Sequence, residues 1–442
     1  VDSEGYLRSL TAEALLRADP DKPLLPASLG LQAVANAFVM LGLLPETQAE
    51  AILAEHRSAL EGKGFGDGDT WGVTKGELTV RPGAHEYWQS RIAGPAGLRD
   101  VPLQVAPAGV HSLTSVADVC FEWVKRTSTG LRVSFRATAP DPGGNPPLPL
   151  DVPMRQAMSE ISLIDDADHS YGLVVETVGW GRVREHQEWE WHGQVLAAPN
   201  AAGTATWLEF SSGDAGGSGR VAFPPPALVP VGTSEPPWPT PAEGYLAELA
   251  RVTGFSISDR VSQAKGGPED TAEIVATVAD SLLAVAALPL TSTLLRELPG
   301  SRRVPAWQRP LVHRWNRRAH QDAASFQPAD HLGLAVHLPL KHATAVIESV
   351  SAKGEMVSVQ LYGHPWVMGE YWPMITPCFQ VQAIDDAGNE HDGVPGGWHG
   401  APGHGGSGGF YFWPPIDPAC KSLRVTVSTL WEAAWADIEL PR

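Results

Sequence analysis

The chain reads as α+β: helices followed by an antiparallel sandwich, twice in tandem. Three observations predict this. Glu4-Gly5-Tyr6-Leu7 recurs as Glu243-Gly244-Tyr245-Leu246. Within each half the apolar period drops from helical spacing to strict alternation. Between the halves, Phe223 to Gly244 is dense in proline and reads as a stiff, extended linker.

In the first half, Leu31, Val34, Phe38 and Leu41 recur at helical spacing. Pro45 then opens a second helix, with Glu46 and Glu50 suiting its positive end and Ala49, Ile52, Leu53, His56 and Leu60 on one face. Together they predict a helical hairpin. From about Val101 the pattern alternates in seven runs: VCFEWV, LRVSFRA, EISLID, YGLVVETV, WEWHGQVL, ATWLEF and GRVAF. Short alternating runs broken by Gly, Pro, Asp and Asn predict an immunoglobulin-like β-sandwich. The second half repeats the order with TAVIESV, MVSVQLYG, CFQVQAI, GFYFW, SLRVTVS and ADIEL.

The matches keep their order along the chain. VANAFVMLGLLP from Val34 meets VADSLLAVAALP from Val278, ISLIDDA from Ile161 meets VQAIDDA from Val381, and QVLAAP ending at Pro199 meets YFWPP ending at Pro415. So long a period means domain duplication, not a solenoid of short repeats. The expected organisation is a helical hairpin over 1–70, a sandwich over 71–225, a linker over 226–242, a second hairpin over 243–325 and a second sandwich over 326–442. The second hairpin is apolar nearly all round and is expected at the centre of the molecule.

Composition narrows the function classes. The chain has 442 residues, 43% hydrophobic and 19% charged, and is rich in Gly and Pro, as suits a turn-rich globular protein. A net charge of −18 argues against a nucleic-acid binder. The stretch Ile274 to Leu290 carries Asp280 and Pro289 and falls short of a membrane span. Cys120, Cys378 and Cys420 show no metal-binding spacing, and Cys120 and Cys378 are expected as buried free thiols. The opening residues lack a signal-peptide pattern, so a cytoplasmic setting is expected.

Each candidate site has a plain reading beside it. GGSGG, Gly405 to Gly409, satisfies the G-x-S-x-G pattern with Ser407 as nucleophile, but no helix pattern follows, so it reads as a loop. His391, His399 and His404 lie in a glycine-rich stretch beside Asp385 and Asp386 and are candidate metal ligands. The paired aspartates of IDDA could share acid and base roles, although Asp at a strand end more simply bonds its own turn. Arg302, Arg303, Trp307, Arg314, Trp315, Arg317 and Arg318 form a cationic, aromatic patch suited to phosphate or an acidic surface, although docking against the chain's own other half, or a plain solvated surface, is the simpler reading. EGKGFGDGD, from Glu61, lacks the context of a nucleotide-binding loop. Of the 16 tryptophans, alternation turns some of those in strand runs (Trp123, Trp189, Trp191, Trp413) inward and some outward, where they would form a sticky or carbohydrate-binding face, with the core as the default.

The strand-Asp-Asp turn and the late WPPIDPACKSLRV resemble an uncharacterised class of bacterial proteins with a helical hairpin followed by an immunoglobulin-like sandwich. That resemblance implies layout and no activity. The expected function is therefore non-enzymatic binding or scaffolding with no cofactor, toward a protein partner or a second copy. The alternatives are a metal-dependent or serine hydrolase built on the second half's His/Asp/Ser segment, and a self-assembling structural protein.

Overall fold

The computed structural model describes residues 2–18, 25–63, 101–127, 130–140, 152–183, 188–198, 205–212, 218–223, 228–247, 249, 268–290, 330–364, 379–400 and 405–441. Helices and two large antiparallel sheets make up these residues. The helices include α1 (Ser3–Arg17), α2 (Leu25–Met40), α3 (Glu46–Gly62), α4 (Val152–Ser159) and α5 (Pro268–Ala284), and residues 241–247 are helical as well.

The first group holds three helices where the sequence reading expected two. The added one, α1, contains the first EGYL. Asp2 caps it, taking the Gly5 N–H on Oδ1 at 2.6 Å, while Glu4 and Arg17 sit at the ends their charges favour. It packs on α3, and Arg8 reaches Glu55 of that helix at 2.7 Å. The buried residues of α3 are Ala49, Ile52, Leu53, His56 and Leu60, the face its spacing marked.

Matching caps end α2 and α5. After α2, Gly42 turns left-handed at φ 68° and the Leu43 N–H donates to Phe38 O at 2.7 Å. After α5, Ala286 does so at φ 58° and the Ala287 N–H donates to Leu282 O at 2.8 Å. An L side chain in that region costs about 1–2 kcal/mol, so the second end keeps a glycine geometry without the glycine. The two helices pack together where Gly30 faces Thr277. Leu31 to Met40 of α2 are buried on every side, whereas α5 leaves Ala276, Asp280 and Ala284 exposed. The expectation that the second half's helix is the more enclosed is reversed. Its polar rivals in α2, Gln32 and Asn36, are buried too, and the Asn36 side-chain amide bonds Gln32 O.

The first sheet comprises β1 (Pro102–Leu113), β2 (Asp118–Thr127), β3 (Gly130–Pro140), β4 (Ile161–Asp165), β5 (Ser170–Val183), β6 (Glu188–Ala198), β7 (Trp207–Ser212) and β8 (Ser218–Ala222). Its order is β1-β2-β3-β6-β5-β4-β7-β8. It curls until β8 returns to β1, where Gly219 sits against the Val110 side chain. The second sheet comprises β9 (Val231–Ser234), β10 (His331–His337), β11 (Thr344–Lys353), β12 (Met356–His364), β13 (Gln380–Asp385), β14 (Glu390–Gly400), β15 (Gly406–Trp413), β16 (Ser422–Ser428) and β17 (Ala433–Glu439). Its order is β10-β11-β12-β15-β14-β13-β16-β17-β9. Apart from β9 the two orders are the same.

The irregularities match as well. The first ladder shifts register after Pro107, with Gly109 at φ 59°; the second shifts after Gly333, with Ala335 at φ 53°. Each second strand then bulges at a glutamate, Glu122 in β2 and Glu348 in β11. Bulges re-aim a strand and pin its register, so these are fixed points for comparing the sheets. The ladders pair Gly172 with Ala198 and Asp392 with Trp413, while Pro199, matched in sequence with Pro415, lies outside the described residues.

The strand β9 lies within the region expected to be a linker. Val231–Ser234 is a proline-free window between Pro230 and Pro236, so its N–H groups can pair with β17. Its short length and flanking prolines blunt an edge that would otherwise invite aggregation.

Two cores result. One gathers α1, α2, α3, α5, Tyr245 and the inner face of the second sheet. The other lies inside the first sheet, with α4 against it. The sheets meet along a seam between β1/β2 and β10/β11. There Gly333 lies against the Val105 carbonyl, so closely that a Cβ would come within 2.0 Å of it. Trp123 meets the His331 ring edge-on at 5.0 Å, and Lys125 Nζ bonds both oxygens of Glu348 at 2.8 Å. Among the described residues no helix is long and apolar enough to cross a membrane, which says nothing about strands.

Candidate functional site

The paired aspartates organise turns. The N–H groups of Ala167 and His169 donate to Asp165 Oδ1 at 2.9 Å each, and Tyr171 Oη donates to Oδ2 at 2.7 Å. In the second sheet the N–H groups of Ala387 and Asn389 donate to Asp385 Oδ1 at 3.0 and 2.7 Å, and the Asn389 side chain donates to Oδ2 at 2.8 Å. The following aspartates tie each turn to a neighbouring strand: Asp166 accepts the Thr206 N–H and Asp386 the Lys421 N–H. Every oxygen that acid–base chemistry would use on Asp165 and Asp385 is already engaged in holding its turn.

Burial works to raise the Asp165 carboxyl, but donation from Tyr171, His169 and Ala167 outweighs it and holds the group well below the usual range. Asp385 is lowered in the same way, burial being outweighed by Asn389, His391 and Ala387. A carboxyl depressed in the folded state adds stability above its unfolded pKa, about 4, and that stability is lost as pH falls through the folded value. Melting temperature should therefore drop progressively below about pH 4. Asp165→Asn should cost about 1–3 kcal/mol at pH 7, because its amide meets donors, and should flatten the acid limb. A variant with the wild-type acid limb would refute this account of the turn.

His391 does not lie in a loop. It is on β14, 4% exposed, and its Nδ1 donates to Pro414 O at 2.7 Å while Nε2 stands 3.5 Å from Asp385 Oδ2. It occupies the place that Tyr171 holds in the first sheet. His399 pairs in the β14–β15 ladder opposite Ser407, and His404 lies outside the described residues. Among the described residues no three His, Cys, Asp or Glu side chains gather as a metal site. Ser407 is likewise a strand residue, within β15, with no helix after it. The first of the glycines that suggested a loop serves close packing instead. A Cβ on Gly405 would sit 2.0 Å from Tyr362 Oη.

The arginine and tryptophan patch (Arg302, Arg303, Trp307, Arg314, Trp315, Arg317, Arg318) lies outside the described residues, as does Cys378. Cys120 is half-buried, not buried, because alternation turns it away from Val119 and Phe121. Cys420 is buried, and both are free thiols that burial raises, so neither is an activated nucleophile. Trp189 and Trp191 are core residues, whereas Trp123 and Trp413 are half-buried.

What pattern reading missed is a polar row across the outer face of the first sheet. Cys120, Arg136 and His192 stand side by side on β2, β3 and β6. Arg136 lies 3.3 Å from both Glu122 and Glu190, and Arg132 of the same face pairs with Glu176 at 2.8 Å. Burial raises the Glu122 carboxyl, Arg136 opposes that, and Glu190 adds to it. The corresponding row of the second sheet is Val346, Tyr362, Ser407 and His399. There Tyr362 and Ser407 are 5% and 6% exposed, against 31–35% for Arg136, Glu122 and Glu190. The row is closed at Tyr362 and Ser407 in one lobe and partly exposed at Arg136 and its two glutamates in the other.

Comparison with known proteins adds little to this geometry. No protein-family model and no curated protein matches the chain. Among solved structures, a conserved domain protein from Bacillus anthracis is similar with a TM-score of 0.21 and 8% identity, over 76% of this chain and 83% of that one. A likeness of that size carries no argument about either fold or activity.

Proposed function

We propose that the chain is a tandem duplication of a helical unit and an immunoglobulin-like sandwich, and that it works as a non-enzymatic binding or scaffolding protein. Its binding surface is the outer face of the first sheet, over β3, β6 and β5. One observation carries this reading: where the second sheet buries Tyr362 and Ser407, the equivalent row of the first holds a partly exposed ladder of both charges. The face also continues the seam, where the same side of the sheet already meets protein at Trp123 and Lys125. A surface alternating Arg and Glu suits a protein partner of mixed charge, including a second copy turned about a twofold axis. The free thiols fit a reducing compartment such as the cytoplasm.

A photo-crosslinking residue at Thr177 or Gln194, adjacent on that face, tests the proposal. Both positions should yield a discrete cross-linked protein, either from the purified chain or in its native cells, while a control at exposed Thr233 yields none. Equal labelling from all three positions, or none from either face position in both settings, would defeat it.

A further inference from the structure

The last two strands of each lobe carry the same ion pair with its signs exchanged. In the first sheet Glu209 of β7 faces Arg220 of β8, with Nη2 and Oε2 2.8 Å apart. In the second sheet Arg424 of β16 faces Asp437 of β17, with Nε and Oδ1 2.7 Å apart and Nη2 and Oδ2 2.9 Å apart. These are equivalent positions. Asp165 pairs with Leu208 and Asp385 with Leu423, so the next residues along, Glu209 and Arg424, correspond.

An aromatic ring follows the exchange. Arg220 lies 3.8 Å over Trp207, on the strand of Glu209, and Arg424 lies 4.2 Å over Trp435, on the strand of Asp437. In both lobes one strand supplies the acid and the ring, and its neighbour supplies the arginine. Only the assignment of those parts to the earlier or later strand differs.

We infer that this exchange keeps the two lobes from trading their final strands during folding. The inward faces cannot do so, because Leu208, Phe210 and Val221 in one lobe and Leu423, Val425 and Ile438 in the other are all buried and apolar. With the same strand order in each lobe apart from β9, which pairs with the far edge of β17, the core faces let β17 fit beside β7 and β8 beside β16. The outer faces separate the two outcomes. Traded strands set Glu209 against Asp437 with both tryptophans on that ladder, and Arg424 against Arg220 with no ring. Each native ion pair is exposed and adds little by itself. Discrimination depends on the difference: trading sets like charges directly opposite each other on both ladders and takes each arginine off its tryptophan. Misassembly between similar units is a characteristic failure of repeat proteins.

Refolding tests the inference with variants that keep an acid opposite an arginine in every native pair. Arg424→Glu with Asp437→Arg gives the second lobe the polarity of the first, so that traded strands become complementary. Adding Glu209→Arg and Arg220→Glu reverses both lobes and restores the distinction. Each protein is refolded from denaturant at one concentration, and the monomeric native fraction is read by size-exclusion chromatography. The double variant should lose about twofold or more of its monomer relative to wild type. The quadruple variant should recover it, even though it takes both arginines off their tryptophans and so melts no higher than the double. A double variant that refolds as well as wild type, or a quadruple variant that fails as badly as the double, would overturn the inference.

Discussion

Leu282→Asp should unfold the helices of both halves together with the second sheet, at a cost of about 4 kcal/mol or more. Leu282 is fully buried in the core that also holds Leu7, Phe38, Ile52, Tyr245 and Val425. Its carbonyl additionally receives the N–H groups of Ala287 and Leu288 in the cap of α5. Removing a buried leucine side chain costs about 3–5 kcal/mol, and a carboxylate in its place must be desolvated or protonated as well. Adding Val285→Asp, partly buried on the same core, should deepen the loss. Circular dichroism of the variant should show the helical signal gone at temperatures where wild type keeps it. The same packing predicts that residues 1–230, expressed alone, expose α2 and fail to behave as a stable monomer. A well-folded monomeric fragment, with the double variant losing only second-half structure, would show that the halves are independent.

Lys125→Ala should be nearly as damaging, though it deletes one amine. Glu348 is 1% exposed and Lys125 11%, so their contact is a buried ion pair between the sheets. Removing one partner strands the other charge and costs about 3–5 kcal/mol. Replacing both, as Lys125→Met with Glu348→Leu, removes the stranded charge and should cost far less. Denaturant titrations of the two singles and the double measure the coupling directly. A single-variant loss below about 1 kcal/mol would mean that the seam does not close around this pair.

The strands that alternate cleanly were legible from residues. The runs read as strands lie within or overlap their ladders, from VCFEWV in β2 to ADIEL in β17. Those that do not alternate were missed in both halves. In β1 and β10 a bulge breaks the period, and β1 carries prolines besides. In β14 glycine replaces the apolar half of the pattern, so a strand looked like a loop and His391 and Ser407 looked mobile. Neighbours require glycine at Gly393, which lies against the Val381 carbonyl, and at Gly405, which lies against Tyr362, and no single-strand pattern records what stands opposite. For the same reason the Asp turns were readable, being local, whereas the row from Cys120 to His192 joins residues far apart in sequence.

The pairing of β9 with β17 has a consequence for synthesis. Val231–Ser234 leaves the ribosome at the start of the second half and Ala433–Glu439 at its end. A nascent chain that stops at residue 432 carries both β9 and β16 with a bare edge, each awaiting the same missing strand. The second lobe is thus fastened by its final segment, as a belt is by its buckle. Losing that segment to a protease or a premature stop would open the sheet at two places, with both bare edges then available to other chains.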